Sequence, residues 1–147
     1  MQMTFTKGSG KYDELLVERD GRAVETILCP KQGIIPHDMV HYAVESTLAH
    51  RGFLGMVADG AAASFTMTGV GVEDAIERLV ETFQAEMWGG RVPAADLLAT
   101  YEHACAASGH GLVPVSVHQV EAIRVRLEEL SAAWARVPVQ GSMSVRY

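Results

Sequence analysis

Residues 15–28, LLVERDGRAVETIL, decide the fold, because they carry a strong β-hairpin signal. The pair Asp20-Gly21 separates two strand-like runs, and a type I′ turn requires positive φ at both of its central residues. Residues 29–33 are predicted to be a loop. The alternating segments at residues 4–6 and 142–147 are further strand signals, and a terminal strand needs a neighbour. Together these segments predict a small, mostly antiparallel sheet that pairs the last strand with the N-terminal ones.

Between the hairpin and the last strand, the apolar spacing predicts about four helices. They cover residues 36–52, 72–88, 93–109 and 116–137, and a further short helix with a surface loop is expected within 53–68. Pro36 suits the first helical position, and Ser116 with Gln119 forms a capping box. The inward face of the second helix is predicted to consist of Val72, Ile76, Leu79, Val80 and Phe83. The fold class is therefore α+β, in a single globular domain over residues 1–147.

Composition narrows the class of protein. The 147 residues are 48% hydrophobic and 20% charged, which excludes a disordered or fibrous chain. A net charge of -6 gives a nucleic-acid partner little electrostatic support. Cys29 and Cys105 are too few for a disulfide scaffold. No signal peptide or membrane-length apolar run is seen, so we expect a cytoplasmic protein with reduced thiols and no membrane partner.

One segment carries residue types and spacings that are typical of a metal or acid–base site. It is Pro36-His37-Asp38-Met39-Val40-His41-Tyr42-Ala43-Val44-Glu45. His37 and His41 are four apart on a predicted helix, so both imidazoles project from one side and can chelate one divalent, zinc-like ion. Asp38 occupies the position of the general base in the His-Glu-x-x-His metalloprotease helix, with one methylene fewer. These residues predict a metal-dependent hydrolase-like site.

Glu45 extends this ladder of side chains. His37 and Glu45 are about 12 Å apart along a straight helix, so they cannot bind the same ion. We therefore expect Glu45 to orient His41 or to handle a proton alongside Asp38. A third ligand has to come from elsewhere, and its candidates are His103, His110, His118 or a carboxylate of another segment.

A non-catalytic interpretation of the same residues stays open. In the first turn of a helix, Asp38 complements the positive end of the dipole, which mildly opposes a bound cation. His41 would then pair with Glu45 on the surface, and the protein would be a binding or interaction protein. Trp134 near the chain end and Trp88 elsewhere leave room for a homodimer surface. The substrate, whether a small molecule or a peptide, is not given by the sequence.

The run from Gly33 to Glu45, after the strand at residues 3–6 and the hairpin at residues 17–21, resembles a group of small uncharacterised bacterial proteins. The similarity extends over roughly the first sixty residues and includes Gly52-Phe53-Leu54-Gly55. It implies a bacterial origin and no particular activity.

Other motifs are weaker. Gly8-Ser9-Gly10-Lys11 lacks the upstream glycine and the following Ser or Thr of a P-loop, and Gly69-Val70-Gly71 lacks the third glycine of a dinucleotide fingerprint. Cys105 is expected to be a buried structural thiol. The apolar seam of residues 120–137 spans under three heptads, which favours packing within the chain over a coiled coil.

Overall fold

The computed structural model describes residues 1–48, 52–61, 71–109 and 111–147. Four strands and five helices follow one another in the chain: β1 Gln2–Thr6, β2 Tyr12–Arg19, β3 Arg22–Pro30, α1 His37–Leu48, α2 Phe53–Ala58, α3 Val72–Gly89, α4 Ala94–Ser108, α5 Val117–Ala135 and β4 Ser142–Arg146. The predicted α+β class is confirmed, and α2 is the short helix expected after residue 52. The rest of the predicted 53–68 loop lies largely outside the described residues.

The strands form one antiparallel sheet in the order β3-β2-β1-β4. Asp20 and Gly21 connect β2 to β3 with φ of 51° and 72°, as a type I′ turn requires. β4 pairs with β1, so the predicted partner of the terminal strand is confirmed. The predicted loop at 29–33 is wrong at its first two residues, because β3 continues to Pro30. Proline is tolerated there, since β3 is an edge strand whose outer N–H groups need no partner.

One face of the sheet is buried against the helices. Met3, Phe5, Leu15 and Val17 are at most 2% exposed, and the Phe5 ring meets Trp134 of α5 edge-on at 6.5 Å. The capping box of α5 is confirmed, because Gln119 donates its N–H to Ser116 Oγ at 3.1 Å and Ser116 donates to Gln119 Oε1 at 2.9 Å. The buried face of the sheet thus packs against α5.

Helix α1 lies at the centre of the molecule and packs against α2, α3 and α5. Nine of its twelve residues are buried, including Asp38, His41 and Glu45. Val40, Ala43 and Val44 form the buried apolar side that the spacing predicts, and burial extends to the polar residues because Glu45 and His41 find partners on neighbouring segments. The position of α1 brings ionisable groups into the interior.

Two smaller outcomes concern helix ends and membranes. Ile76, Leu79, Val80 and Phe83 are fully buried as predicted, whereas Val72 is 52% exposed because it lies in the first turn of α3, at the rim of the core. Within the four described ranges, no helix is both long and apolar enough to cross a bilayer.

Candidate metal centre

His37 and His41 lie one turn apart at the start of α1. The carbonyl of Pro36 accepts hydrogen bonds from Met39 N and Val40 N, so the helix begins at His37, one residue after the start that the proline predicted. The two rings stand 4.7 Å apart edge to face, and their Nε2 atoms are 3.1 Å apart. The two imidazoles therefore point at one spot, as their spacing predicted.

Glu77 of α3 completes the group. Its Oε1 lies 3.2 Å from His37 Nε2, and its Oε2 lies 2.7 Å from His41 Nε2. A donor atom from each of the three residues falls within 4.8 Å of the other two. The expected third ligand is thus a carboxylate from another segment.

The histidines proposed from sequence as third ligands do not join the centre. His103 on α4 and His118 on α5 are exposed and lie outside this group, whereas His110 is not among the described residues. Glu77 follows the buried Ile76, so it was a reasonable candidate for a side chain facing α1. Several carboxylates share α3, however, and periodicity alone could not choose among them.

The nearest separations between the donor atoms are close to those around a tetrahedral ion. Zinc binds histidine nitrogen and carboxylate oxygen at about 2.0–2.2 Å, which places neighbouring ligand atoms about 3.3 Å apart. The two Nε2 atoms are 3.1 Å apart, and Glu77 contacts them through different oxygens, Oε1 at 3.2 Å from His37 and Oε2 at 2.7 Å from His41. A single ligand atom from each residue lies within 4.8 Å of the other two, so an ion bound by one carboxylate oxygen requires Glu77 to turn that oxygen towards both rings.

Protons can occupy the space that an ion would take. A proton on His41 Nε2 is donated to Glu77 at 2.7 Å and also faces the lone pair of His37 Nε2 at 3.1 Å. If both rings carry a proton on Nε2, two N–H groups of like charge converge at 3.1 Å. A metal ion bound there would replace these protons and accept a lone pair from each of the three residues.

Glu45 holds His41 from the opposite side. Its Oε2 lies 3.0 Å from His41 Nδ1, and neither side chain is exposed. The carboxylate also accepts N–H groups from Gly52 at 2.7 Å, Leu54 at 3.0 Å and Gly55 at 3.2 Å. The predicted contact between Glu45 and His41 is present, but the alternative that placed this pair on the surface is wrong.

This contact fixes the chemistry of His41. A carboxylate only accepts, so His41 carries its Nδ1 proton towards Glu45 and directs Nε2 at Glu77 and His37. A carboxylate behind a ligating histidine is the usual arrangement at metal sites. Since Glu45 lies on the Nδ1 side of the ring, it is placed to orient His41 and is on the far side of the ring from Glu77 and His37.

Asp38, the predicted general base, lies next to His37 but outside the three-residue group. Its side chain is buried, and within the described ranges no hydrogen bond holds the carboxylate. Burial raises its pKa, although the charges of His41 and His37 act in the opposite direction. The carboxylate of Asp38 thus interacts electrostatically with both histidines and with Cys29.

The electrostatics of the centre favour positive charge between its carboxylates. Burial alone lowers the pKa of His41, but hydrogen bonds with Glu45 and Glu77 raise it to about 10. Burial also lowers the pKa of His37, but the hydrogen bond and charge of Glu77 together with the hydrogen bond to Gln84 raise it overall. Burial raises the pKa of Glu77, and the contacts with both histidines reverse this and hold it well below its usual range.

Among the described residues of the centre, His37 is the most accessible to solvent. The side chain of His37 is 41% exposed and that of Glu77 is 15% exposed, whereas that of His41 is inaccessible. An ion held by these ligands would keep an accessible coordination position beside His37. Three protein ligands with an open position are typical of catalytic rather than structural zinc.

A separate cavity of about 680 Å³ lies between α3, α5 and the segment before α1. Its apolar wall includes Ile35, Met87, Leu127 and Trp134, and the buried ion pair of Arg124 with Glu86 closes one end. None of His37, His41 and Glu77 lines it. The cavity is thus distinct from the candidate centre.

Comparisons with protein-family models, with curated proteins and with solved structures found no match to this chain. The chemistry assigned to the centre therefore rests on its own geometry.

Proposed function

We propose that the protein is a metal-dependent hydrolase that holds one divalent, zinc-like ion between His37, His41 and Glu77. The observation that carries this proposal is the close grouping of two Nε2 atoms, 3.1 Å apart, with the carboxylate of Glu77, whose two oxygens lie 3.2 and 2.7 Å from them. Two histidines and one glutamate are also the ligand set of several zinc peptidases.

Each residue around the ion would have a separate role in hydrolysis. A bound zinc ion lowers the pKa of a coordinated water to about 7 and polarises a carbonyl. Asp38 follows the first histidine, the position of the base in the related zinc-binding helix, and accepts the proton of the attacking water. Glu45 keeps Nε2 of His41 directed at the ion. The open side at His37 admits the substrate.

The test is hydrolysis by the zinc-loaded protein of a panel of p-nitrophenyl esters, phosphoesters and chromogenic peptide amides. Asp38→Asn is expected to lower the rate about 100-fold or more while zinc remains bound. Asp96→Asn is the matched control, because Asp96 is an exposed first-turn carboxylate on α4. Hydrolysis that survives both zinc removal and Asp38→Asn would contradict the proposal, as would a zinc-loaded protein inert towards the whole panel.

A homodimer is the second proposal, favoured by exposed apolar side chains at the edge of the sheet. Leu28 and Val24 of the edge strand β3 are 63% and 46% exposed. An edge strand with apolar side chains invites pairing with a second copy. Light scattering should then give twice the 15.9 kDa chain mass, and Leu28→Lys should restore the monomer. A wild-type monomer would refute it.

The cellular location is a proposal of the same kind. Cys29 and Cys105 are both free and buried, which suits a reducing compartment such as the cytoplasm.

A further inference from the structure

Gln84 of α3 contacts Nδ1 of His37, just as Glu45 contacts Nδ1 of His41. Its side chain is buried, and its Oε1 lies 2.9 Å from His37 Nδ1. The same Oε1 lies 3.1 Å from Nε2 of Gln32, and this Nε2 lies 2.8 Å from the backbone carbonyl of Ile35. Four groups thus form one hydrogen-bonded row that ends at the ring of His37.

The direction of every hydrogen bond in this row is fixed by its first member. A backbone carbonyl can only accept, so the Gln32 atom that faces Ile35 is the amide nitrogen. This nitrogen also faces Gln84, so the Gln84 atom in contact is the oxygen. That oxygen can only accept from His37, which therefore carries its proton on Nδ1. Nε2 of a neutral His37 is then left bare, facing Glu77.

We propose that Gln84 is a positioning residue of the metal centre, which, with Gln32, holds His37 in the form that binds the ion through Nε2. This inference rests on the function proposed above. Without the amide oxygen, His37 is free to place its proton on Nε2 or to rotate out towards solvent, since its side chain is 41% exposed. His41 has no such freedom, because it is enclosed. Gln84 therefore compensates for the exposure of its own ligand.

The row starts in the segment between β3 and α1, and this segment is braced from α3 as well. The indole N–H of Trp88 donates to the carbonyl of Gln32 at 2.7 Å. Helix α3 thus supplies the ligand Glu77, the positioning amide Gln84 and the brace Trp88 along one side. The ring of His37 is held by the same helix that provides its fellow ligand.

The experiment measures zinc affinity by competition with a chromophoric chelator. Gln84→Met removes the acceptor and keeps the bulk, and it is expected to weaken binding about 10–100-fold. Gln84→Glu keeps an acceptor oxygen in place and should bind zinc at least as tightly as wild type. Gln32→Ala leaves the amide of Gln84 free to turn over and should weaken binding several-fold. Glu81→Gln is the control, because Glu81 is an exposed residue on the same helix.

A spectroscopic readout separates positioning from loss of fold. In zinc-loaded protein, long-range ¹H–¹⁵N spectra should show the proton of His37 on Nδ1 in wild type and in Gln84→Glu, and should lose that signature in Gln84→Met. Equal zinc affinity in wild type, Gln84→Met and Gln32→Ala would overturn this inference and leave the metal centre standing. A wild-type protein that binds no zinc would overturn both. If Gln84→Met does not fold, Gln32→Ala decides, because Gln32 is only half-buried.

Discussion

Glu45→Gln should destabilise the metal-free protein, although it only replaces one carboxylate oxygen by an amide nitrogen of nearly the same size. In the native protein Oε1 accepts N–H groups from Gly52 at 2.7 Å and Gly55 at 3.2 Å. Oε2 accepts from Leu54 at 3.0 Å and from His41 Nδ1 at 3.0 Å. An amide nitrogen cannot accept. At the Oε1 position it leaves the N–H groups of Gly52 and Gly55 unpaired, whereas at the Oε2 position it leaves only that of Leu54, because His41 can move its proton to Nε2 and accept at Nδ1.

The magnitude follows from the orientation that leaves fewer donors unpaired. A buried donor left without an acceptor costs about 1–3 kcal/mol, so the variant should lose roughly 1–3 kcal/mol of unfolding free energy. For a chain of this size, that loss corresponds to a fall in Tm of roughly 3–10 °C. This is an appreciable part of the roughly 5–15 kcal/mol that stabilises an ordinary domain.

The assay is thermal denaturation followed by circular dichroism at pH 7 in excess chelator. Glu129→Gln is the matched control, because Glu129 is an exposed partner of Arg126 on α5 and should change stability by less than about 0.5 kcal/mol. A Tm for Glu45→Gln within about 2 °C of wild type would refute the assignment of Glu45 as the acceptor of these four hydrogen bonds.

Three further outcomes are expected. The pKa of His41 is raised to about 10 in the folded chain, so its stabilising contribution is complete below about pH 6.5 and is lost towards pH 10. The pKa of Glu77 is lowered in the folded chain, so its stabilising contribution is lost in acid. The Tm of metal-free protein should therefore fall between pH 6.5 and 10, and a flat profile would count against this charge arrangement. Gly52→Ala would place its Cβ 2.8 Å from Cδ of Glu45, so it should lower the free energy of unfolding measured in urea by about 1–3 kcal/mol. An unchanged free energy of unfolding would show that the carboxylate can move aside. Burial raises the pKa of Cys29 to about 12, so native protein at pH 8 should alkylate far more slowly there than unfolded protein; equal rates would contradict its burial.

Local features of the chain were predictable because neighbours in sequence determine them. The turn at Asp20-Gly21 and the capping box of Ser116 with Gln119 depend on backbone geometry within a few residues. The facing rings of His37 and His41 follow from helical spacing alone. For these features, knowledge of distant segments adds nothing.

The features of the candidate site that the sequence did not predict depend on contacts between distant segments. Glu77 lies 36 residues after His41, and only the packing of α3 on α1 selects it over other carboxylates on that helix. Polar side chains on α1 suggested a solvent-exposed face, but Glu45 finds its partners at the start of α2. The position of Gln84 behind His37 left no mark on the sequence pattern, because a glutamine on a helix is ordinary at any exposed position.

Zinc binding by the purified chain tests the central claim most directly. Metal is removed with chelator, and stoichiometry and affinity are then measured by titration for wild type, Glu77→Gln and the control Glu81→Gln. We expect one zinc ion per chain for wild type and control, and an affinity lower by about 100-fold or more for Glu77→Gln, because a direct ligand is lost. A wild-type chain that binds no zinc, or a Glu77→Gln variant that binds it as tightly as wild type, would contradict the assignment of His37, His41 and Glu77 as a metal centre.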